Sequence, residues 1–97
     1  MSAPRLKGWV PYRNAAGTML AFLSVEMPSG LIINGIRLMV GARGVRWLAM
    51  PSQKRADGTG WDDFVEFRDK PTRGRFQDPI LDVARVEHPE AFEGEPA

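Results

Sequence analysis

The stretch TMLAFLSVEMPSGLIINGIRLMV, residues 18–40, decides the fold of this chain. Over residues 18–27 the side chains alternate between an apolar face and a mixed one, which is the two-residue period of a β-strand. The side chains predicted on the apolar face are Met19, Ala21, Leu23 and Val25. The turn-forming sequence Pro28-Ser29-Gly30 comes next. We therefore expect a strand with one buried face, followed by a reversal of the chain.

Residues 31–40 predict the strand that pairs with it. They are rich in branched side chains, which favour strands, but Asn34-Gly35 interrupts them. This pair of residues is typical either of a tight hairpin turn or of a bulge within one long strand. Because the runs on either side of the pair are short, we expect the bulge.

Three more strands are predicted around this pair, at residues 6–12, 45–50 and 61–67. Pro51 ends the strand at 45–50, because proline has no N–H to donate to a neighbouring strand. Residues 52–60 are then expected to form a loop with an Asp-Gly turn. The sequence therefore predicts an antiparallel sheet of four to five strands.

A helical pattern covers residues 72–86, where apolar side chains recur at intervals of three and four. These side chains are Phe76, Ile80, Val83 and Ala84. Thr72 is the expected N-cap. Pro79 would cost about 3 kcal/mol inside a helix, so we expect a short turn at 72–77 and a restart with Asp78 as cap. The predicted fold class is α+β, with one C-terminal helix beside the sheet.

The composition is that of one small cytoplasmic domain. The chain has 97 residues, 43% of them hydrophobic and 26% charged, which is typical of a globular protein. Cysteine is absent, which excludes a disulfide framework and thiolate catalysis and favours a reducing compartment. No apolar run approaches the roughly 20 residues that span a bilayer, so we expect no membrane partner. The small core and the exposed sheet edges favour homodimerisation through the sheet.

The net charge of +1 conceals a basic body and an acidic tail. Residues 1–75 contain twelve Lys and Arg against six Asp and Glu, whereas residues 76–97 contain one Arg against six acids. An acidic segment with few apolar residues is typical of disorder. We therefore expect a single domain over residues 1–87 and a disordered acidic tail over residues 88–97.

Catalytic chemistry is poorly supported by the sequence. The one histidine, His88, lies in the predicted disordered tail, where nothing would position it against a nucleophile or a metal. Asp62 and Asp63 are adjacent on a predicted strand, so their carboxylates would point to opposite faces. We expect no catalytic activity, no cofactor, no metal and no small-molecule substrate.

Basic residues surround the last predicted strand and the start of the helix. If residues 52–60 and 68–75 flank the same strand, these cations meet at one end of the domain. Cations in the first turn oppose the helix dipole, which suggests that Arg73 and Arg75 are there to bind an anion. The alternative is a solvated rim of charges, partly neutralised by nearby acids. The candidate nucleic-acid-binding residues are Gln53, Lys54, Arg55, Arg68, Lys70, Thr72, Arg73 and Arg75.

Three blocks of sequence resemble the stage V sporulation protein G family of septation regulators. They are Ile36-Arg37-Leu38-Met39-Val40-Gly41, Trp47-Leu48-Ala49-Met50-Pro51-Ser52 and Thr72-Arg73-Gly74-Arg75-Phe76-Gln77-Asp78. The resemblance covers about residues 6–86. It implies a homodimeric regulator that binds DNA, and in some members RNA, without a cofactor or catalytic activity. It places the family's basic contacts on Lys54, Arg55, Arg73 and Arg75.

Three functions are compatible with these patterns. The leading hypothesis is a homodimeric DNA-binding regulator, with RNA as a further target. In a variant of it, the same dimer binds single-stranded DNA and stacks Trp61 or Trp47 on the bases. The third is a protein-interaction module that binds a peptide along a sheet edge.

Overall fold

A four-stranded antiparallel sheet with one α-helix across it forms the body of the protein. The structure is a computed structural model, and it describes residues 3–96. The elements are β1 (Arg5–Pro11), β2 (Met19–Glu26), β3 (Ile32–Val40), β4 (Arg46–Ala49), β5 (Ser52–Lys54), β6 (Trp61–Asp63) and α1 (Lys70–Glu87). Strands β1 to β4 lie side by side in chain order, while β5 and β6 form a separate two-stranded sheet. The predicted α+β class, with a C-terminal helix, is confirmed.

Strands β2 and β3 form the centre of the main sheet. The β2 side chains predicted on the apolar face, Met19, Ala21, Leu23 and Val25, are all buried. The ladder slips by one residue between the pairs Val25–Ile33 and Leu23–Ile36. Gly35 has φ +79° at this slip, a left-handed conformation that glycine adopts without strain. The bulge predicted at Asn34-Gly35 is confirmed.

Helix α1 covers the inner face of the sheet. Its buried side chains, Ile80, Leu81 and Ala84, join the buried residues of β2, β3 and β4 in one apolar cluster. Burial of such a stripe is what stabilises most helices of this length. Within residues 3–96, no helix is both long and apolar enough to cross a membrane.

The helix begins earlier than the sequence predicts. Asp69 is the N-cap, and its Oδ1 accepts a hydrogen bond from the N–H of Thr72 at 2.8 Å. The prediction of Thr72 as the cap is wrong, because the aspartate three residues earlier takes that role.

The predicted interruption of the helix is also wrong. Helix α1 runs through Pro79 without a break, so neither the turn at 72–77 nor a second cap at Asp78 exists. Pro79 has no N–H to donate to the carbonyl of Arg75, one turn earlier in the helix. Both residues lie on the exposed side of the helix, so water can bind that carbonyl instead. Packing of the buried stripe offsets the remaining cost of the proline.

The chain leaves the main sheet after Pro51. Residues 52–60 were expected to be a loop, but β5 and β6 form a short hairpin that pairs Ser52 with Asp63 and Lys54 with Trp61. The strand predicted over residues 61–67 ends at Asp63. This hairpin stands apart from the main sheet.

The outer edge of β4 explains why no fifth strand joins the main sheet. The N–H of Leu48 donates to Oε1 of Gln77 at 3.4 Å, and its carbonyl accepts from Nη2 of Arg73 at 3.0 Å. Two side chains of α1 thus occupy the backbone groups that another strand would need.

The acidic tail packs against the body instead of being disordered. Pro89–Phe92 form a 3-10 turn, and the Phe92 ring is buried in the core, with 6% of the residue exposed. Arg46 donates to the carbonyls of Ala91 at 3.2 Å and Glu93 at 2.7 Å. Residues 88–96 are therefore part of the domain, which extends beyond the boundary predicted at residue 87. Ala97 lies outside the described residues.

An ion pair fixes the end of the tail to the last turns of α1. Arg85 donates to both carboxylate oxygens of Glu95, at 2.8 and 2.7 Å. These hydrogen bonds lower the pKa of Glu95 below its ordinary value, and the positive charges of Arg85 and Arg46 add to the effect against the cost of burial. The tail is thus held at the C-terminal end of the helix.

Candidate nucleic-acid interface

A cleft opens between the start of α1, the end of β4 and the β5–β6 hairpin. Its volume is about 620 Å³, within the range of ligand-binding sites. Trp47, Trp61 and Phe67 give it aromatic walls. Its charged lining residues are Arg37, Lys70, Arg73, Asp63, Glu66 and Asp69. The lining therefore has three cations and three carboxylates, so its formal charge is balanced.

Thr72 organises the charged residues at the start of α1. Its hydroxyl oxygen accepts from Nε of Arg68 at 3.4 Å and from Nη2 of Arg75 at 3.1 Å. Hydrogen bonds from Thr72, through its side chain and its backbone, lower the pKa of Asp69, which therefore stays ionised at neutral pH. Three predicted site residues, Arg68, Thr72 and Arg75, are in direct contact.

Arg73 is part of both the fold and the cleft wall. Besides its hydrogen bond to the Leu48 carbonyl, its guanidinium lies 5.5 Å from the ring centroid of Trp47. These contacts offset the unfavourable position of a cation in the first turn of a helix. Only one guanidinium nitrogen, Nη2, has a hydrogen-bond partner among the described residues.

Arg37 of β3 is a site residue that is absent from the set predicted by sequence. Its Nη2 donates to the Met50 carbonyl at 3.3 Å and to the Ser52 hydroxyl at 3.2 Å. It thereby ties the central sheet to the chain that leaves β4. The signal in the sequence is that Arg37 is the one charged residue in the apolar stretch 31–40.

The β5–β6 hairpin contains Gln53, Lys54 and Arg55, but the hairpin residues that line the cleft are Ser52, Trp61 and Asp63. Lys54 lies opposite Trp61 in the ladder, and 57% of Trp61 is exposed. Gln53 lies opposite Asp62, and Nε of Arg55 donates to Oδ1 of Asp62 at 2.8 Å in an exposed ion pair. Lys54 is thus the hairpin cation that remains beside the exposed indole.

Several charged groups at this site have no ion-pair partner in the part of the chain that the structure describes. Among residues 3–96, no ion pair within 4.0 Å involves Lys54, Lys70, Asp63 or Glu66. All four side chains are exposed. They are therefore available to a ligand without the loss of an existing ion pair.

The predicted site residues form two groups rather than one cluster. Arg68, Lys70, Thr72, Arg73 and Arg75 lie at the start of α1, while Gln53, Lys54 and Arg55 lie on the hairpin. Lys70 and Arg73 share the cleft with Trp61 of the hairpin, so the cleft lies between the two groups. The cleft was not predicted from the sequence, whereas its carboxylates belong to the nearby acids that were expected to neutralise part of the basic charge.

The three tryptophans have different roles. Trp9 stacks on His88, with ring centroids 4.0 Å apart and planes within 3°. Trp47 packs against Arg73 and lines the cleft, and the exposed Trp61 lines it as well.

The Nδ1 atom of His88 lies 3.3 Å from a carboxylate oxygen of Glu90. In the part of the chain that is described, no three His, Asp or Glu side chains are grouped to hold a metal ion.

Neither a protein-family model nor a curated protein sequence matches this chain.

Proposed function

We propose that this protein is a cytoplasmic, homodimeric regulator that binds nucleic acid at the cleft, without catalytic activity. The observation that carries the proposal is the environment of Trp61. This indole is largely exposed, lies opposite Lys54 and shares the cleft with Lys70. An exposed aromatic ring beside unpaired cations suits a nucleic-acid strand, because the ring stacks on a base while the cations neutralise phosphates.

The geometry favours a single strand over a duplex. A β-ribbon such as the β5–β6 hairpin can enter the major groove of a duplex, but only an unpaired base can also enter a concave site with aromatic walls. In this protein Trp47, Trp61 and Phe67 line a cleft, which suits an unpaired base. The sequence resemblance to the stage V sporulation protein G family argues for duplex DNA instead, so the test compares both.

The position of the acidic tail leaves the basic residues at the cleft accessible to phosphates. Arg85 and Glu95 hold the tail at the C-terminal end of α1, whereas Lys70 is the first residue of the helix. An 18-residue helix is about 27 Å long, so the carboxylates of the tail are far from the cleft. The tail therefore does not compete with phosphates for the basic residues.

The outer face of the sheet supports homodimerisation. Val10 and Phe22 pair across β1 and β2 on the face opposite α1, and they are 60% and 39% exposed. Tyr12, 51% exposed, packs against Phe22 with ring centroids 5.6 Å apart. Exposed apolar patches of this kind commonly mark protein interfaces. The β4 edge, in contrast, is closed by side chains of α1, which argues against peptide addition there.

The oligomeric state is tested by light scattering coupled to size-exclusion chromatography. The wild-type protein should have twice the monomer mass, and Phe22→Glu should give a folded monomer, because it places a charge in the apolar patch. Val86→Glu, a change at a site that is 81% exposed on α1, is the matched control and should leave the dimer intact. A wild-type monomer would remove the dimer from the proposal.

Binding is tested by fluorescence anisotropy with single-stranded DNA, the matching duplex and RNA, each at low and high salt. We expect the single strands to bind most tightly, with affinity that falls as salt rises. Replacing both Lys54 and Lys70 with glutamine should weaken binding and reduce the slope of log K against log salt by about 1 for each phosphate that is no longer neutralised.

Lys7→Gln is the control for these substitutions, because Lys7 lies on β1 and is not among the residues that line the cleft. Its Nζ atom lies 3.9 Å from Oε1 of Glu26. It should leave affinity and salt dependence unchanged. Affinity that does not respond to salt, or equal losses of affinity in the control and the test variant, would refute the proposed surface.

A further inference from the structure

The charges that line the cleft do not suit a phosphate. Arg37, Lys70 and Arg73 face Asp63, Glu66 and Asp69, so a phosphate that entered would meet as many negative charges as positive ones. A neutral group with hydrogen-bond donors on one edge and acceptors on another meets no such repulsion. The cleft is therefore suited to a base, while the phosphates of the strand remain at its rim, beside the exposed side chains of Lys54 and Lys70.

The guanidinium groups of Arg37 and Arg73 are fixed and still have donors to offer. Each uses Nη2 to bond protein oxygens, Arg37 at Met50 and Ser52 and Arg73 at Leu48. No other nitrogen of either guanidinium has a hydrogen-bond partner in residues 3–96. A guanidinium held in this way loses little conformational entropy when it binds a ligand. Arg37 uses both hydrogens of Nη2 and offers single contacts through Nε and Nη1, whereas Arg73 uses one hydrogen of Nη2 and keeps an edge for a bidentate contact.

Two carboxylates supply the complementary acceptors. Asp63 ends β6 and Glu66 lies in the segment that follows it, and both line the cleft without an ion-pair partner in the described chain. Asp69 differs, because it caps the helix through Thr72. The cleft thus combines fixed donors, free acceptors and aromatic surface.

We propose that the cleft binds one unpaired guanine of a single strand, an inference that rests on the proposed function. Guanine presents two acceptors, O6 and N7, which arginine contacts in a bidentate manner. Its N1–H and N2 amino group are adjacent donors that match a carboxylate. Thymine lacks the amino group, and adenine lacks the O6 acceptor and the N1–H. Only guanine has two adjacent acceptors on one edge and two adjacent donors on another, because cytosine, adenine and thymine all lack the adjacent pair of donors. Trp61 or Trp47 can stack on its ring.

The test compares labelled single-stranded thymidine oligonucleotides by fluorescence anisotropy. One is all thymidine, and the others have a single central dG, a single dA, or a single deoxyinosine, which differs from dG only in the missing amino group. The dG strand should bind about fivefold or more tightly than the all-thymidine strand, as one bidentate base contact requires. Deoxyinosine should lose part of that gain, because it keeps O6, N7 and N1–H but lacks one of the two donors to the carboxylate.

Variants of the carboxylates locate the preference in the protein. Asp63→Asn with Glu66→Gln should reduce the preference for dG, because only the contacts to O6 and N7 remain, while binding of the all-thymidine strand stays equal or becomes tighter, because negative charge is removed. Both residues are exposed and unpaired, so the fold is retained. Glu87→Gln, at the far end of α1, should keep the preference.

The outcomes separate this inference from the proposed function. Salt-dependent binding that is equal for dG and thymidine strands overturns the guanine site and leaves nucleic-acid binding in place. A dG preference that is unchanged in the carboxylate variant also overturns it, because the carboxylates then make no contact with the base. Failure of every strand to bind overturns both.

Discussion

Replacing Phe92 with alanine tests whether the acidic tail is part of the core. The ring belongs to the same apolar cluster as Ile80 and Ala84 of α1. Burial of a phenylalanine side chain is worth about 1.5–3 kcal/mol, and the cavity left by truncation raises the cost to about 3–5 kcal/mol. The guanidinium of Arg85, 5.0 Å from the ring centroid, would also lose its aromatic partner. We expect the free energy of unfolding to fall by about 3 kcal/mol or more.

That decrease would be large for a domain of this size. Small domains are stable by about 5–15 kcal/mol, and 1 kcal/mol corresponds to about 4–8 °C in Tm. The Tm of the Phe92→Ala variant should therefore fall by at least about 12 °C. Urea unfolding followed by circular dichroism should show a lower midpoint at an unchanged slope.

Phe64→Ala is the matched control, because it makes the same chemical change where 64% of the residue is exposed. It should lower the free energy of unfolding by less than about 1 kcal/mol. If both variants are destabilised by the same small amount, the ring of Phe92 is not packed in the core. The place of this ring in the core would then be refuted.

Three further predictions concern the tail and the helix. Because Arg85 lowers the pKa of Glu95, the stability from this pair is complete above the ordinary glutamate pKa of about 4.3 and is lost as pH falls through the lowered value. Glu95→Gln should flatten that part of a plot of unfolding free energy against pH. Pro79→Ala should raise the unfolding free energy in urea by about 1–2 kcal/mol, because a helical hydrogen bond is regained. Gly44→Ala should lower Tm, because φ is +79° and a Cβ would lie 2.8 Å from the carbonyl oxygen of Gly94. An unchanged pH dependence, a less stable proline variant or an unchanged Tm would contradict the respective prediction.

The parts of the fold that the sequence predicts correctly depend on local periodicity. The buried face of β2 follows from alternation, and the bulge at Asn34-Gly35 follows from the need for a left-handed backbone at Gly35. The burial of Ile80 and Ala84 follows from helical spacing. Each of these features is decided within one element, so a single stretch of sequence contains the information.

The errors arise where contacts between distant residues decide the structure. Phe92 is a single aromatic residue among acids, and its place in the core depends on Arg46 and Arg85, which lie elsewhere in the sequence. Likewise, the cost of Pro79 is outweighed by packing of the whole helix against the sheet, which a local rule for proline does not include. Among the cations that line the cleft, Lys70 and Arg73 were predicted as site residues and Arg37 was not. Arg37 lies on β3 in the central sheet, so a contact between distant residues brings it to the cleft.

The cleft follows from the way the β4 edge is closed. Arg73 and Gln77 satisfy the backbone groups of Leu48, so the chain beyond Pro51 has no edge to join and pairs with itself in the β5–β6 hairpin. That hairpin is the far wall of the cleft, and Arg73 is part of the near wall. Arg73 therefore helps to close the β4 edge and also shapes the candidate site. A cation in the first turn of α1, unfavourable for the helix alone, is explained by this double role.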